Sequence, residues 1–193
     1  CYHSVMDKIK LEDFLEYSYL SGIKVTEYGT IFIKANVKKD KTGYDRNYWI
    51  IKDGEKAKQL TFDGKAGFFT VKDNSIYFLA KRSEEEKKDE GSSIIYALPL
   101  DGGEAHPAFK VDSPISTFDF ISDDTIIATK GVDKRTENLT DEEKKKIEKE
   151  LEGYEDIEEC GFYLNGEGYT NGRRNRLIYI KNGKCERVFD DDF

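Results

Sequence analysis

Between residues 10 and 19 the apolar positions Leu11, Phe14, Leu15 and Tyr19 recur at three- and four-residue steps, the period of one helix face. Asp7, Glu12 and Asp13 stand early, where acids complement the positive end of a helix. The pattern predicts a short amphipathic helix over 10–19. The period then changes: short runs of Ile, Val, Phe, Tyr and Thr alternate with Gly, Asn and Asp turns. Strands are expected at 23–26, 30–35, 48–52, 57–61, 67–71, 75–80, 94–98, 105–109, 116–121, 125–129, 177–181 and 185–189. Two stretches break the alternation. Residues 139–153 read LTDEEKKKIEKELEG, with Thr140 and Glu143 spaced as a capping box and Gly153 placed as a stop. Only Leu139, Ile147 and Leu151 are apolar there, so a solvated surface helix inserted in a loop is expected, and docking of a partner by that helix stays open. Residues 81–90 (KRSEEEKKDE) read as a long exposed hairpin loop.

The strands come in fours, and the fours resemble one another. TEYGT (26–30) leads into IFIKA and then NYWIIKDGEKAKQLT (47–61); VKDNS (71–75) leads into IYFLAKR and then SIIYALPLDGGEAHPAF (93–109); ISDDT (121–125) leads into IIATKG and then RLIYIKNGKCERVF (176–189). Thr30, Ser75 and Thr125 hold one place in the three units, and Tyr48, Tyr96 and Tyr179 mark the third strand of each. Asp53-Gly54, Asp101-Gly102-Gly103 and Asn182-Gly183 fall between strands three and four, where a tight hairpin needs positive backbone dihedrals. Repeated four-stranded units of about 40–50 residues point to β-propeller blades, because one twisted sheet cannot cover both its faces and stacked neighbours can. The fold class expected is therefore mostly all-β: a partial propeller of about three antiparallel blades, with an N-terminal helix and one inserted surface helix. A β-sandwich remains the alternative. The helix and lead-in take 6–22 and the blades 23–193, divided as 23–61, 67–109 and 116–189 with the helical insertion at 136–160. Three blades are fewer than the about 4–8 of a closed ring. The 193 residues are thus expected to be a fraction of a propeller, self-associating through an open blade edge or covering it with the N-terminal helix.

Composition narrows the chemistry. Charged residues make up 36% and aromatic ones 13%, too many aromatics to leave solvated in a disordered chain. A net charge of −8 argues against nucleic acid, and no apolar run approaches the about 18–20 residues of a membrane span. With no secretory leader visible, the cytoplasm is the expected compartment. Cys1, Cys160 and Cys185 form no metal-binding pair and are expected as reduced thiols, although Cys160 and Cys185 have the option of meeting. Neither His3 nor His106 stands beside an elbow that would activate a nucleophile. CYHSV ahead of Met6 is set aside from the fold reading.

The stretches QLTFDGKAGFF (59–69), IYFLAKR (76–82), IIYALPLDGGEAHPAF (94–109) and CGFYLNGEGYTNGRRNRLIYI (160–180) resemble propeller blades of the prolyl oligopeptidase family, nearest its acylaminoacyl-peptidase and dipeptidyl-peptidase branch. The first hairpins depart from the family's Ser-Pro-Asp-Gly, reading TEYGT, KDNS and SDDT. The resemblance implies a propeller that covers the active site of a C-terminal α/β-hydrolase domain and admits short peptides. It implies a Ser-His-Asp triad outside this chain, which contains no G-x-S-x-G. Ser92 and Ser93 follow Gly91 but are expected in the charged loop. No catalytic, cofactor-binding or metal-binding residue is therefore assigned, and no cofactor. A serine peptidase's non-catalytic portion is the leading expectation, and a stand-alone interaction scaffold the alternative.

Sharper motifs have plainer explanations. In NGEGYTNG (165–172) the glycines are spaced G-x-G-x-x-x-G with no strand-to-helix unit around them, so turn geometry is expected rather than phosphate binding. Arg173, Arg174 and Arg176 suit a carboxylate or phosphate clamp, but pairing with nearby acids is the expectation. Ser21 to Lys24 matches S-x-x-K without its companion motifs. Asn138-Leu-Thr140 is a glycosylation sequon that matters only in a secreted chain, and Asp190 to Asp192 lack the spacing of a calcium loop.

Overall fold

The computed structural model of the chain describes residues 8, 10–154, 157, 159 and 171–189. Cys1, His3, Met6, Cys160, most of NGEGYTNG and the acidic run after Phe189 lie outside the described residues. The described residues form twelve strands: β1 (Ser18–Thr26), β2 (Gly29–Val37), β3 (Tyr44–Ile51), β4 (Lys58–Gln59), β5 (Phe69–Lys72), β6 (Ser75–Leu79), β7 (Ser93–Pro99), β8 (His106–Val111), β9 (Thr117–Phe120), β10 (Thr125–Asp133), β11 (Arg173–Lys181) and β12 (Lys184–Val188). They form three four-stranded sheets in which every strand lies beside its neighbours in sequence: β1-β2-β3-β4, β5-β6-β7-β8 and β9-β10-β11-β12. Thr30, Ser75 and Thr125 all fall on second strands, and Tyr48, Tyr96 and Tyr179 all fall on third strands.

Two local expectations are corrected. The helical stripe over 10–19 is a six-residue 3-10 helix, Leu11–Glu16, and Tyr17 is already extended at φ −67°, ψ 141°. Residues 18–22 join β1 instead, whose ladder with β2 runs from Ser18↔Asn36 to Thr26↔Gly29. A helix this short is marginal by itself, so long-range pairing overrides the local period. The charged run 81–90 is not all loop: α1 (Glu84–Lys88) forms within it. The second helix, α2 (Asp141–Glu150), lies where the capping box placed it, with the Thr140 side chain accepting from the Glu143 N–H.

The chain divides into two compact units, the first made of Cys1–Phe78 and Ala97–Ala105, the second of Leu79–Tyr96 and His106–Phe193. In the first, alternate residues of β2 and β3 turn one face inward. Ile31 stands opposite Ile50 and Ile33 opposite Tyr48, and all four are buried. The Tyr48 ring meets Phe69 at 5.3 Å and Phe78 at 5.1 Å between centroids. Offset and edge-on contacts of this kind favour aromatic cores. The opposite face of the same sheet carries Leu20, Val25 and Ile51, which are 57%, 81% and 40% exposed, and half-buried Phe32 and Trp49. The Lys34 ammonium lies 4.9 Å from the Trp49 ring centre on that face.

In the second unit Ile126 pairs with Ile180 and Ala128 with Ile178, and these residues together with Phe118 are buried. The other face of their sheet presents half-buried Ile127, Leu177 and Tyr179. The third strand of the sheet β5-β6-β7-β8 differs from those of the other two sheets: β7 is buried at every position from Ser93 to Leu98. A strand apolar and buried on both sides reads as a continuous hydrophobic run, and SIIYALP is one.

Candidate functional site

In each sheet the second and third strands are joined by a connection rich in charge. Residues 38–43 serve β2 and β3, residues 80–92 serve β6 and β7, and residues 134–172 serve β10 and β11. The last two each carry a helix opened by a related sequence, Ser83-Glu-Glu-Glu-Lys-Lys and Thr140-Asp-Glu-Glu-Lys-Lys. Both begin with reciprocal capping boxes. This recurring capped turn is the local signal that sequence reasoning found at Thr140 and missed at Ser83.

Around α1 the charges are tied inward. The Glu86 carboxylate accepts from the backbone of Ser83 at 3.0 Å and Arg82 at 2.6 Å, and the Tyr96 hydroxyl donates to its two oxygens at 3.0 and 3.1 Å. The Ser83 N–H, then that of Arg82, holds the Glu86 carboxyl below the usual glutamate range. Burial, and then the bond to Glu86, pushes the Tyr96 hydroxyl up. The Arg82 guanidinium lies 5.0 Å from the Tyr96 ring centre. Asp89 accepts from Ser92 Oγ at 2.6 Å and Lys110 Nζ at 3.1 Å, and the Ser92 hydroxyl, then Lys110, lowers its carboxyl.

Beside this network, at the ends of β6 and β7, is a pocket of about 250 Å³ lined by Leu79, Ala80, Lys81, Ser93, Ile94 and Ile115. Ser92 and Ser93, expected in a charged loop, are both buried, and Ser93 opens β7. The apolar run that follows draws them in with the strand. Ser93 Oγ accepts from the Ile115 N–H at 2.9 Å. Lys81 Nζ donates to the Asp89 carbonyl.

The arginines of β11 behave as counter-ions. Arg176 reaches Glu137 at 2.6 Å with both side chains largely shielded, and Arg174 reaches Glu159 at 2.7 Å. The Arg173 carbonyl accepts from Arg174 Nη1 at 2.8 Å. Arg135, two residues past β10, chelates Asp133 through Nε at 3.0 Å and Nη2 at 2.7 Å, and this guanidinium holds the Asp133 carboxyl low. The Arg174 guanidinium, then the Gly172 N–H, does the same for Glu159. Lys134, Arg135, Glu159, Asn171 and Gly172 outline a smaller space of about 190 Å³. These pairs tie Glu137 and Glu159 to β11. His106 begins β8 and is exposed, and Cys185 stands half-buried on β12. Among the described residues no cluster of His, Cys, Asp and Glu gathers as metal ligands do, and no helix is long and apolar enough to cross a membrane.

A scan against protein-family models finds no match, and a search of curated proteins likewise finds none. Solved structures do match. An acylaminoacyl peptidase in complex with Z-Gly-Gly-Phe-chloromethyl ketone superposes with a TM-score of 0.57 at 14% identity, over 92% of this chain and 26% of that one. Pyrococcus horikoshii acylaminoacyl peptidase in an orthorhombic crystal form gives 0.58 at 13% identity, over 94% and 26%. The uncomplexed form of the same enzyme gives 0.54 at 13%, over 92% and 26%. At these identities the likeness is one of fold: the chain is a partial β-propeller, spanning about a quarter of the length of the structures it matches.

Proposed function

We propose that this chain is the non-catalytic propeller portion of a serine peptidase similar to acylaminoacyl peptidases, and that it restricts access to a hydrolase domain to short peptides. The observation that carries the reading is the unequal covering of the three sheets. β7 is buried on both sides, whereas the first and third sheets each keep an apolar face that no described residue covers well. Faces bearing Leu20, Val25, Trp49 and Ile51, or Ile127, Leu177 and Tyr179, are what stacked neighbours bury in a blade repeat. The fold likeness to a quarter of longer peptidase chains supports the same reading. A wall of blades around the reacting centre contributes by steric selection and by excluding water, while acyl transfer belongs to a triad elsewhere.

The reading frame on either side of the chain tests this. Further four-strand repeats and a G-x-S-x-G region are expected, and a frame holding neither, with no hydrolase partner, would overturn it. Turnover of N-acetylated or free short peptides by the purified 193-residue protein would remove the non-catalytic assignment.

A further inference from the structure

We infer that the pocket at the ends of β6 and β7 binds the free C-terminal carboxylate of a short peptide whose last side chain is aliphatic. That the carboxylate comes from a peptide rests on the proposed peptidase reading, whereas the pocket's preference for a carboxylate rests on its own atoms.

Two polar groups among the lining residues have unspent donors. Ser93 is only 7% exposed, and its one engaged lone pair accepts from Ile115. Its own O–H proton has no acceptor among the described residues. Lys81 Nζ gives one hydrogen to the Asp89 carbonyl and has no carboxylate within ion-pair reach among the described residues. The nearby acids are engaged with other donors: Asp89 with Ser92 and Lys110, Glu86 with Ser83, Arg82 and Tyr96. A shielded hydroxyl proton without an acceptor incurs desolvation that a bound acceptor would relieve, and the Lys81 ammonium brings a positive charge to the same pocket. Both residues line the one pocket, so a carboxylate bound there would accept from each in charge-assisted hydrogen bonds.

The remaining lining side chains, Leu79, Ala80, Ile94 and Ile115, are aliphatic and suit an apolar tail. At about 250 Å³ the space lies below the range of about 300–1,000 Å³ that holds drug-sized ligands, and it suits one terminal residue rather than a long acyl chain. The site lies wholly within the second compact unit, so it does not depend on further blades.

The test is a nitrogen-15 NMR titration of the 193-residue protein with acetyl-Gly-Leu, its C-terminal amide, and octanoate. Saturable shifts at Lys81, Ser93, Ile94 and Ile115 are expected with the free acid, with about tenfold or weaker binding of the amide. Lys81→Met should erase the preference for acid over amide, and Lys81→Arg should keep it. Ser93→Ala should weaken the acid more than the amide. Equal binding of acid and amide, or shifts that never saturate, would overturn the carboxylate site. Tighter binding of octanoate than of the dipeptide would overturn the peptide assignment. The reading-frame test decides the peptidase portion separately, so failure of either is distinguishable from failure of the other.

Discussion

Gly54 and Gly183 hold the same place in their repeats, each in the hairpin between a third and a fourth strand, and each has a positive φ, +74° and +78°. Replacing either with alanine adds a Cβ to a left-handed residue, which costs about 1–2 kcal/mol. Their surroundings differ. A Cβ at Gly54 meets nothing within 4 Å, whereas one at Gly183 lies well inside contact distance of the Lys110 carbonyl. That carbonyl belongs to β8 and cannot swing aside as a flexible side chain would. Moving it disturbs the bond from the Asp112 N–H to the Gly183 carbonyl and the bond from the Cys185 N–H to Asp112 Oδ1, each 2.9 Å. Overpacking adds about 1–3 kcal/mol. Gly54→Ala should therefore lose about 1–2 kcal/mol and Gly183→Ala about 2–5 kcal/mol. Urea unfolding followed by far-ultraviolet circular dichroism measures both, and a chain of this size shifts its Tm by about 2–4 °C per kcal/mol. Equal losses, or a larger loss at Gly54, would refute the claim that β8 closes over the Asn182-Gly183 turn.

Other perturbations follow from the same contacts. Tyr48 OH accepts from Gly67 N–H at 3.1 Å and donates to its carbonyl at 3.3 Å, so Tyr48→Phe should cost about 1–3 kcal/mol in urea unfolding. Burial pushes this phenol up to about 12, so its contribution is whole below about pH 10 and is lost as pH rises toward 12; ultraviolet titration should leave Tyr48 among the last tyrosines to ionise. Arg176→Met strands Glu137 and should lower stability by about 1–3 kcal/mol, with faster hydrogen exchange across residues 134–154. Glu86 and Glu143 are both held below the free value of 4.5, first by the N–H groups of Ser83 and Thr140. Their support of α1 and α2 is present above pH 4.5 and lost as pH falls through the lowered values; carboxyl carbon-13 titration midpoints at or above 4.5 would contradict this.

The repeat was legible because sheet chemistry is local. Alternation, the Asp-Gly and Asn-Gly turns, and tyrosines at matching places identify the twelve described strands and their grouping in fours, since each ladder joins strands adjacent in sequence. The capping box at Thr140 was readable for the same reason. The 3-10 helix was misread because the period of Leu11 to Tyr19 competes with a partner, β2, that begins ten residues beyond Tyr19. The pocket was not legible at all. Lys81, Ser93 and Ile115 come from three separated stretches, and nothing in the pattern places the Ile115 N–H against the Ser93 hydroxyl.

The sequence by itself determined a mostly-β chain of three blade-like units. Periodicity and turn residues carry that information within short windows. Only the tertiary structure decided which faces stay uncovered, which acids Arg174 and Arg176 neutralise, and that Ser92 and Ser93 are buried rather than looped out. Burial, ion pairing and an unspent donor depend on what other segments bring to a side chain, and those segments lie as far as 73 residues away, the separation between Asp112 and Cys185.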